Sequence, residues 1–332
     1  MSLVNGAYVA PAWLPGGHAQ TIFPALQRRL AIRYRRQRVD TPDGDFVDLD
    51  WLDVTSAGSA AVPLVVLFHG LEGNSSSHYA LALMRHLAGI GWRGVVPHFR
   101  GCSGEPNRLP RAYHSGDHAE VGWMLATIRR LEPAAPLFAV GVSLGGSALL
   151  NWLGREEHRA GEIVAAAAAV STPLDLTAAG IAIEQGLNRV YSLHFRGTLV
   201  PKALGMARRF PGVLDADAIA RVDSMYAFDD VVTAPLHGFR DTDDYWTRAS
   251  AKPVLGRIQV PTLLLNARND PFLPEAALPG RADVSREVRL EFPEEGGHAA
   301  FVSAPFPGNI DWMPRRITGF FEEAMAERVR MG

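Results

Sequence analysis

The 332-residue sequence predicts an α/β fold, in which a mostly parallel, doubly wound sheet opens with an antiparallel hairpin and carries a helical cap insertion. Three observations predict this class. Short apolar runs alternate with stretches of helical spacing, as in successive strand–helix units. The turn signal Thr41-Pro42-Asp43-Gly44 separates the first two strand patterns. Helical patterns then replace strand patterns from about residue 175 to residue 250.

The elements divide into an arm, a core and a cap. Residues 1–34 carry several Pro and Gly residues and predict an irregular arm with one helical turn that packs on the core. Residues 35–175 and 251–332 predict the α/β core, and residues 176–250 the helical cap or lid. The predicted strands are Arg35–Asp40, Phe46–Leu52, Pro63–Phe68, Gly94–Pro97, Leu137–Val142, Ile163–Ser171, Pro261–Ala267 and Val288–Phe292. The predicted core helices are Ser77–Ala88, His118–Leu131, Ser147–Leu153 and Trp312–Arg328.

Composition narrows the class of protein. Hydrophobic residues make up 47% and charged residues 20%, which is typical of a globular chain. Lys plus Arg (33) nearly balances Asp plus Glu (35), so nothing predicts nucleic-acid binding. The single cysteine, Cys102, excludes an intramolecular disulfide. The first residues lack a secretory signal pattern and the longest apolar run is too short to span a bilayer, so we expect a cytoplasmic protein without a transmembrane segment.

One local concentration of charge interrupts this balance. Six arginines fall within eleven residues, at positions 28, 29, 33, 35, 36 and 38. A transient contact with a membrane surface or a phosphate is one interpretation. We favour a solvated basic face, because the run is short and broken by apolar residues.

The run Gly141-Val142-Ser143-Leu144-Gly145 is the strongest chemical signal in the chain. It lies between an apolar strand pattern and a helical pattern. A sharp strand-to-helix turn would hold Ser143 in strained backbone geometry and expose its hydroxyl at the helix N-terminus, where developing negative charge is stabilised. The competing interpretation is a glycine-containing turn with an incidental serine. The hypothesis that follows is a nucleophilic Ser143.

A serine nucleophile needs a base, and the base needs a carboxylate to orient it. His298 follows the last predicted strand, and Asp270 directly follows the strand before it. In chain order the three residues run Ser, Asp, His, as described for one class of hydrolases. Asp270 could instead only begin a turn before Pro271, and His298 could be an ordinary loop residue. Asp175, after the alanine-rich strand, is the competing carboxylate.

The oxyanion of an acyl-transfer reaction needs hydrogen-bond donors, which are usually backbone amides. We expect the Leu144 amide, directly after the nucleophile, and the Leu71 amide, in the loop after the Pro63–Phe68 strand. His69 in that loop is interpreted as a structural residue that shapes it. One cysteine, no H-E-x-x-H pattern and no Gly-rich phosphate loop predict neither a metal site nor a nucleotide cofactor, so no cofactor is expected.

Several segments together resemble the α/β-hydrolase superfamily, and more narrowly its YheT/ABHD-like branch of esterases and lipases. They are Gly17–Thr21, His69–Gly73, Phe99–Asn107, Tyr113–Gly116, the Ser143 run and Asn266–Phe272. The resemblance implies a Ser143, Asp270 and His298 triad under a helical cap, with carboxylic esters such as acylglycerols as substrates. An H-x-x-x-x-D pattern linked to acyl transfer in some members is absent here. For the Gly17–Thr21 segment we expect packing of the arm against the core.

These observations favour a cofactor-independent serine hydrolase that cleaves a small ester or lipid-like substrate through an acyl-enzyme. An aromatic-rich helical cap would supply an apolar pocket, so an apolar acyl chain is expected. The alternatives are an acyltransferase on the same scaffold and a non-catalytic ligand-binding protein with the same fold.

Overall fold

A computed structural model describes residues 7–26, 32–52 and 62–331. In this part of the chain eight strands form one sheet in the order β1-β2-β4-β3-β5-β6-β7-β8. The strands β1 to β8 are Arg35–Asp40, Phe46–Leu52, Leu64–Phe68, Arg93–Pro97, Leu137–Val142, Ala166–Val170, Thr262–Leu265 and Val288–Glu291. β1 and β2 pair antiparallel, as do β2 and β4, and the other neighbours pair parallel. The predicted fold class is therefore confirmed.

Helices cover both faces of the sheet. The helices α1 to α12 are Gly17–Leu26, His78–Gly89, His118–Leu131, Leu144–Glu156, Ala160–Ile163, Leu176–Ile183, Arg189–Arg209, Ala216–Ala220, Met225–Phe228, Ala234–His237, Thr242–Ala249 and Trp312–Met331. A π-helical turn, Asp229–Thr233, joins α9 to α10. None of these helices, within the residues described, is both long enough and apolar enough to cross a membrane.

Strand β3 shows why the centre of the sheet has continuous apolar sequence. All five of its residues are fully buried. Leu64, Val66 and Phe68 pack in the apolar cluster on one face, and Val65 and Leu67 pack in the cluster on the other. Alternation of side chains along a strand that is covered on both faces requires apolar residues at every position.

Most predicted elements begin or end one to three residues from the observed bounds, and two of the differences have a local cause. The arm contains a ten-residue helix, α1, rather than a single turn. Pro24, which by itself predicts a helix break, lies inside this helix. The alanine-rich strand was predicted from Ile163, but Ile163 ends α5 and the strand begins at Ala166. Alanine has high helix propensity and no marked strand propensity, so the sequence defined this boundary poorly.

Two arginines of the basic run pair with acids within the hairpin. Arg28 and Arg29 lie outside the described residues. Arg36 and Arg38, which are adjacent on one face of β1, pair with buried Asp50 and Asp48 of β2 at 2.7 and 2.8 Å. Both arginines remain exposed to solvent, as expected for a solvated face, and cross-strand register places each opposite an acid that balances its charge.

Candidate active site

Ser143 occupies a strained turn between β5 and α4. Its backbone has φ 54° and ψ −124°, a region that residues with a Cβ rarely adopt. The strain predicted from the sequence is thus confirmed. The turn is tight enough that a Cβ on Gly145 would lie 2.5 Å from the His69 carbonyl oxygen, which explains a glycine at that position. Ser143 is partly buried, and backbone strain of this kind is typical of functional sites.

The loop after β3 lies directly against Ser143. A Cβ placed on Gly70 would be 3.1 Å from Ser143 Cβ and 3.6 Å from its Oγ. The neighbouring amides in the loop are occupied, since Gly70 N donates to Tyr79 Oη at 2.9 Å and Glu72 N donates to Tyr113 Oη at 2.7 Å. The Leu71 amide between them, like the Leu144 amide, has no hydrogen-bond partner among the described residues. Neither amide expected for an oxyanion site is therefore occupied by another group of the described residues.

His69 holds this loop in place. Its Nδ1 donates to the Gly70 carbonyl at 2.8 Å, and its Nε2 accepts from the Phe99 amide at 3.1 Å. Burial lowers the pKa of His69 to about 3, so the ring is neutral at physiological pH. With both ring nitrogens bonded to backbone, His69 has no nitrogen left for proton transfer, in agreement with its interpretation as a structural residue.

A residue of the cap also fixes the loop, and sequence reasoning missed it. Lys202 Nζ, on α7, pairs with Glu72 Oε2 at 2.7 Å and donates to the Gly101 carbonyl at 3.0 Å. Glu72 has φ 56°, in the left-handed region of backbone conformation. Lys202 of the cap holds its side chain, and Tyr113 holds its backbone amide. A single lysine in a predicted helix carries no sequence signal of such a role. Tyr113, by contrast, belongs to Tyr113–Gly116, one of the segments that resemble the α/β-hydrolase superfamily.

Asp270 and His298 lie at the same edge of the sheet, after β7 and β8. His298 Nδ1 is 2.8 Å from Asp270 Oδ2, and the Asp270 side chain is fully buried. The other carboxylate oxygen accepts from the Phe272 amide at 2.9 Å, and the Phe272 ring packs against the imidazole with 4.3 Å between centroids. The competing acid, Asp175, instead caps α6 by accepting from the Ala178 amide at 3.0 Å.

A cavity of about 800 Å³ opens at this edge between the sheet and the cap. Ser143 and His298 both line it. No hydrogen bond joins these two side chains within the parts of the chain that the structure describes, although the Asp270–His298 bond is formed. Catalytic contacts of this kind are often long in unliganded enzymes and shorten when substrate binds.

Cys102 is a further potential nucleophile on the cavity wall. Burial raises the pKa of its thiol to about 12, so the reactive thiolate is not populated at neutral pH. Ser143 is therefore the better placed nucleophile.

Buried charges support the cavity wall contributed by Phe99–Asn107. Arg100 donates to both oxygens of Glu120, at 2.7 and 3.1 Å, and to Asp45 at 3.1 Å. The side chains of all three are at most 3% exposed. Asn107 donates to the same Asp45 at 2.9 Å and accepts from the Gly101 amide. This network anchors the loop that carries Cys102 to the hairpin.

Arg100→Met is expected to lower the free energy of unfolding by about 3–5 kcal/mol, because it leaves buried Asp45 without its ion pair and leaves buried Glu120 with only the partly exposed Arg111 at 3.0 Å. Arg108→Met is the matched control. Arg108 pairs with Asp40, but both side chains are more than half exposed, so a loss below about 1 kcal/mol is expected. Urea denaturation of both variants provides the comparison. Equal losses would contradict the structural role given to Arg100.

Comparison with known proteins gives consistent results. A sequence profile described as the alpha/beta hydrolase fold matches residues 63–305. The chain is 39% identical to the protein named "Putative esterase YheT" of Escherichia coli (strain K12), over 90% of this chain and 88% of that protein. It is 30% identical to phospholipase ABHD3 of Homo sapiens, over 98% and 80% of the two chains.

Solved structures show the same fold. The esterase Est1E of Butyrivibrio proteoclasticus, solved with ferulic acid bound, aligns with a TM-score of 0.56 over 87% of this chain and 99% of its own. The two sequences are 16% identical, so this likeness concerns the fold alone.

Proposed function

Because the chain belongs to the alpha/beta hydrolase family, we propose that it is a carboxylic ester hydrolase acting on a lipid-like ester with an apolar acyl chain. One observation carries the proposal. The same cavity is lined by Ser143, held in a strained turn beside two available amides, and by His298, hydrogen-bonded to buried Asp270. We assign to these groups the roles of nucleophile, base, orienting acid and oxyanion donors.

The proposed reaction proceeds through an acyl-enzyme. Ser143 Oγ attacks the ester carbonyl carbon while His298 Nε2 takes the hydroxyl proton. The Leu71 and Leu144 amides bind the oxyanion, and Asp270 keeps the proton of His298 on Nδ1. Collapse of the tetrahedral intermediate breaks the bond to the alcohol, which leaves with the proton from His298. Water, activated by the same base, then releases the acid.

The cavity walls support an amphiphilic substrate. Most of the cap residues that line it are apolar: Ile183, Leu199, Met206, Met225, Phe228 and Val232. Polar side chains come from both sides, with Asn74 and Glu105 on the core and Lys202 and Arg209 on α7, and they would face the polar part of the alcohol. The volume is within the range of sites for small organic ligands. The similarity to a protein named as a phospholipase also supports a lipid-like ester as the substrate.

A panel of p-nitrophenyl esters from acetate to palmitate tests this function. The purified protein is expected to react with a fluorophosphonate probe, and kcat/KM is expected to rise from acetate to longer chains as apolar area is buried. Met206→Trp places a larger side chain on the apolar wall and so narrows the cavity. It is expected to lower kcat/KM about tenfold for the longer esters and to change it little for acetate.

Several outcomes would contradict parts of the proposal. A folded protein that neither turns over the esters nor binds the probe would favour the non-catalytic alternative. A profile that peaks at acetate would contradict the apolar acyl site. Ester formation that outpaces hydrolysis after an alcohol is added would favour the acyltransferase.

A further inference from the structure

We propose that Gln20 and Thr21 of the arm helix α1 are positioning residues for the base, and that they fix the His298 loop against the Asp270 loop. This inference rests on the proposed function of His298. The Gly17–Thr21 segment was expected only to pack on the core, but its side chains bind the two loops that carry His298 and Asp270.

The His298 loop has no regular structure to hold it. Four consecutive amides of the loop donate to side chains from other parts of the sequence. The last, Ala299 N, donates to Ser171 Oγ at 2.9 Å, and the first three donate to the arm and to the Asp270 loop. Gly296 N donates to Gln20 Oε1 at 2.8 Å, Gly297 N to Asn269 Oδ1 at 3.0 Å, and His298 N to Thr21 Oγ1 at 2.9 Å. The backbone position of His298 therefore depends on side chains of the arm and of the Asp270 loop.

Gln20 joins the two loops to each other. Its Oε1 also accepts from Asn269 Nδ2 at 3.2 Å, and Asn269 directly precedes Asp270. Its Nε2 donates to the Leu14 carbonyl at 3.0 Å, and the whole residue is inaccessible to solvent. A buried amide with this many partners is costly to move, so it sets the separation between the loops.

The arm helix lies directly against the Asp270 loop with no intervening side chain. A Cβ on Gly17 would collide with the Asn269 carbonyl oxygen, so only glycine permits this approach. Thr21 Oγ1 in turn donates to the Gly17 carbonyl at 2.7 Å, which directs its acceptor lone pairs toward His298 N. The segment thus has a glycine where its backbone meets the Asp270 loop, and a hydroxyl that accepts from the His298 amide.

Displacement of the base would act mainly on the chemical step. Proton transfer from Ser143 depends on the position of His298 to within fractions of an ångström, and a shift of about 1 Å can cost about 100-fold in rate. The apolar cap wall that would bind the acyl chain is formed by other elements. Loss of the arm contacts is therefore expected to lower kcat while KM changes little.

Thr21→Val tests this directly, because it keeps the shape of the side chain and removes the acceptor. We expect kcat on p-nitrophenyl esters to fall about 10- to 100-fold with KM within about threefold. Thr21→Ser keeps the hydroxyl and is expected to restore most of kcat. Gln20→Leu, which loses both loop contacts, is expected to lower kcat at least as much as Thr21→Val.

Phe23→Leu is the matched control for general loosening of the arm. Phe23 packs on Trp13, with 5.1 Å between ring centroids, in an apolar cluster that joins the arm to core residues such as Ala82, Val302 and Ile310. Its side chain donates or accepts no hydrogen bond, so it lacks the polar contact to the His298 loop that Thr21 makes. The melting temperature of Phe23→Leu should fall, whereas its kcat should stay within about twofold of the wild-type value. The proposal is overturned if Thr21→Val keeps full kcat, if Thr21→Ser fails to restore it, or if Phe23→Leu loses kcat equally.

Proton NMR keeps this test separate from the proposed function. The Nδ1 proton of His298, shared with Asp270, should give a downfield resonance that is absent in Asp270→Asn. We expect it to be weakened or shifted in Thr21→Val and retained in Phe23→Leu. An unchanged resonance in Thr21→Val would overturn the positioning role. A protein that hydrolyses no ester but shows these spectral changes would contradict only the proposed function.

Discussion

Ser143→Ala is expected to lower kcat for p-nitrophenyl esters by roughly 10⁴- to 10⁶-fold, since removal of a serine nucleophile disables the whole triad. Labelling by a fluorophosphonate probe should disappear, because the probe bonds to the serine oxygen. Rates and labelling are measured on the same preparation, with circular dichroism to confirm folding. Undiminished labelling of Ser143→Ala would exclude Ser143 as the nucleophile.

Two further variants separate chemistry from folding. Ser143→Gly removes the Cβ from a position with φ 54°, so it should be at least as stable as wild type and equally inactive. Ser147→Ala is the matched control, because it changes a buried serine one turn further along α4. The Oγ of Ser147 donates to the Pro173 carbonyl at 2.6 Å. It should keep its labelling and most of its activity. Inactivity in all three variants would point instead to disruption of the turn.

Asp270→Asn is expected to lower kcat by about 10⁴-fold with little change in KM. Asparagine preserves the size of the side chain but can turn an N–H donor toward His298 Nδ1. The imidazole would then carry its proton on Nε2, where it cannot accept the proton of Ser143. Steady-state kinetics on one ester, measured near neutral pH, tests the prediction.

Asp175→Asn is the matched control. Asparagine can still accept the Ala178 amide at the start of α6, so neither stability nor activity should change appreciably. Loss of activity in Asp175→Asn together with normal activity in Asp270→Asn would transfer the role of the acid to Asp175.

Much of the fold could be predicted because its signals are local. The Thr41–Gly44 turn and the apolar run ending at Phe68 lie within a few residues of the structure they specify. The alanine-rich strand was located less precisely, since alanine is compatible with both α5 and β6. Its start is decided by pairing with β5 and β7, which local sequence does not contain.

The candidate site shows the same division. Ser143, Asp270 and His298 each follow a strand, and the carboxyl ends of parallel strands share one edge of the sheet. Their proximity could therefore be expected. Lys202 could not be assigned to the loop after β3, because its contact with Glu72 depends on how the cap lies over the core.

By itself, the sequence determined the strand–turn–helix that strains Ser143 and the chain order of the three proposed triad residues. Both are properties of short segments and of the succession of strands. Tertiary structure alone decided that Asp270 rather than Asp175 bonds His298, and that Gln20 and Thr21 hold the His298 loop. Those contacts join residues up to 277 positions apart, so they exist only where packing brings the arm, the sheet edge and the loops together.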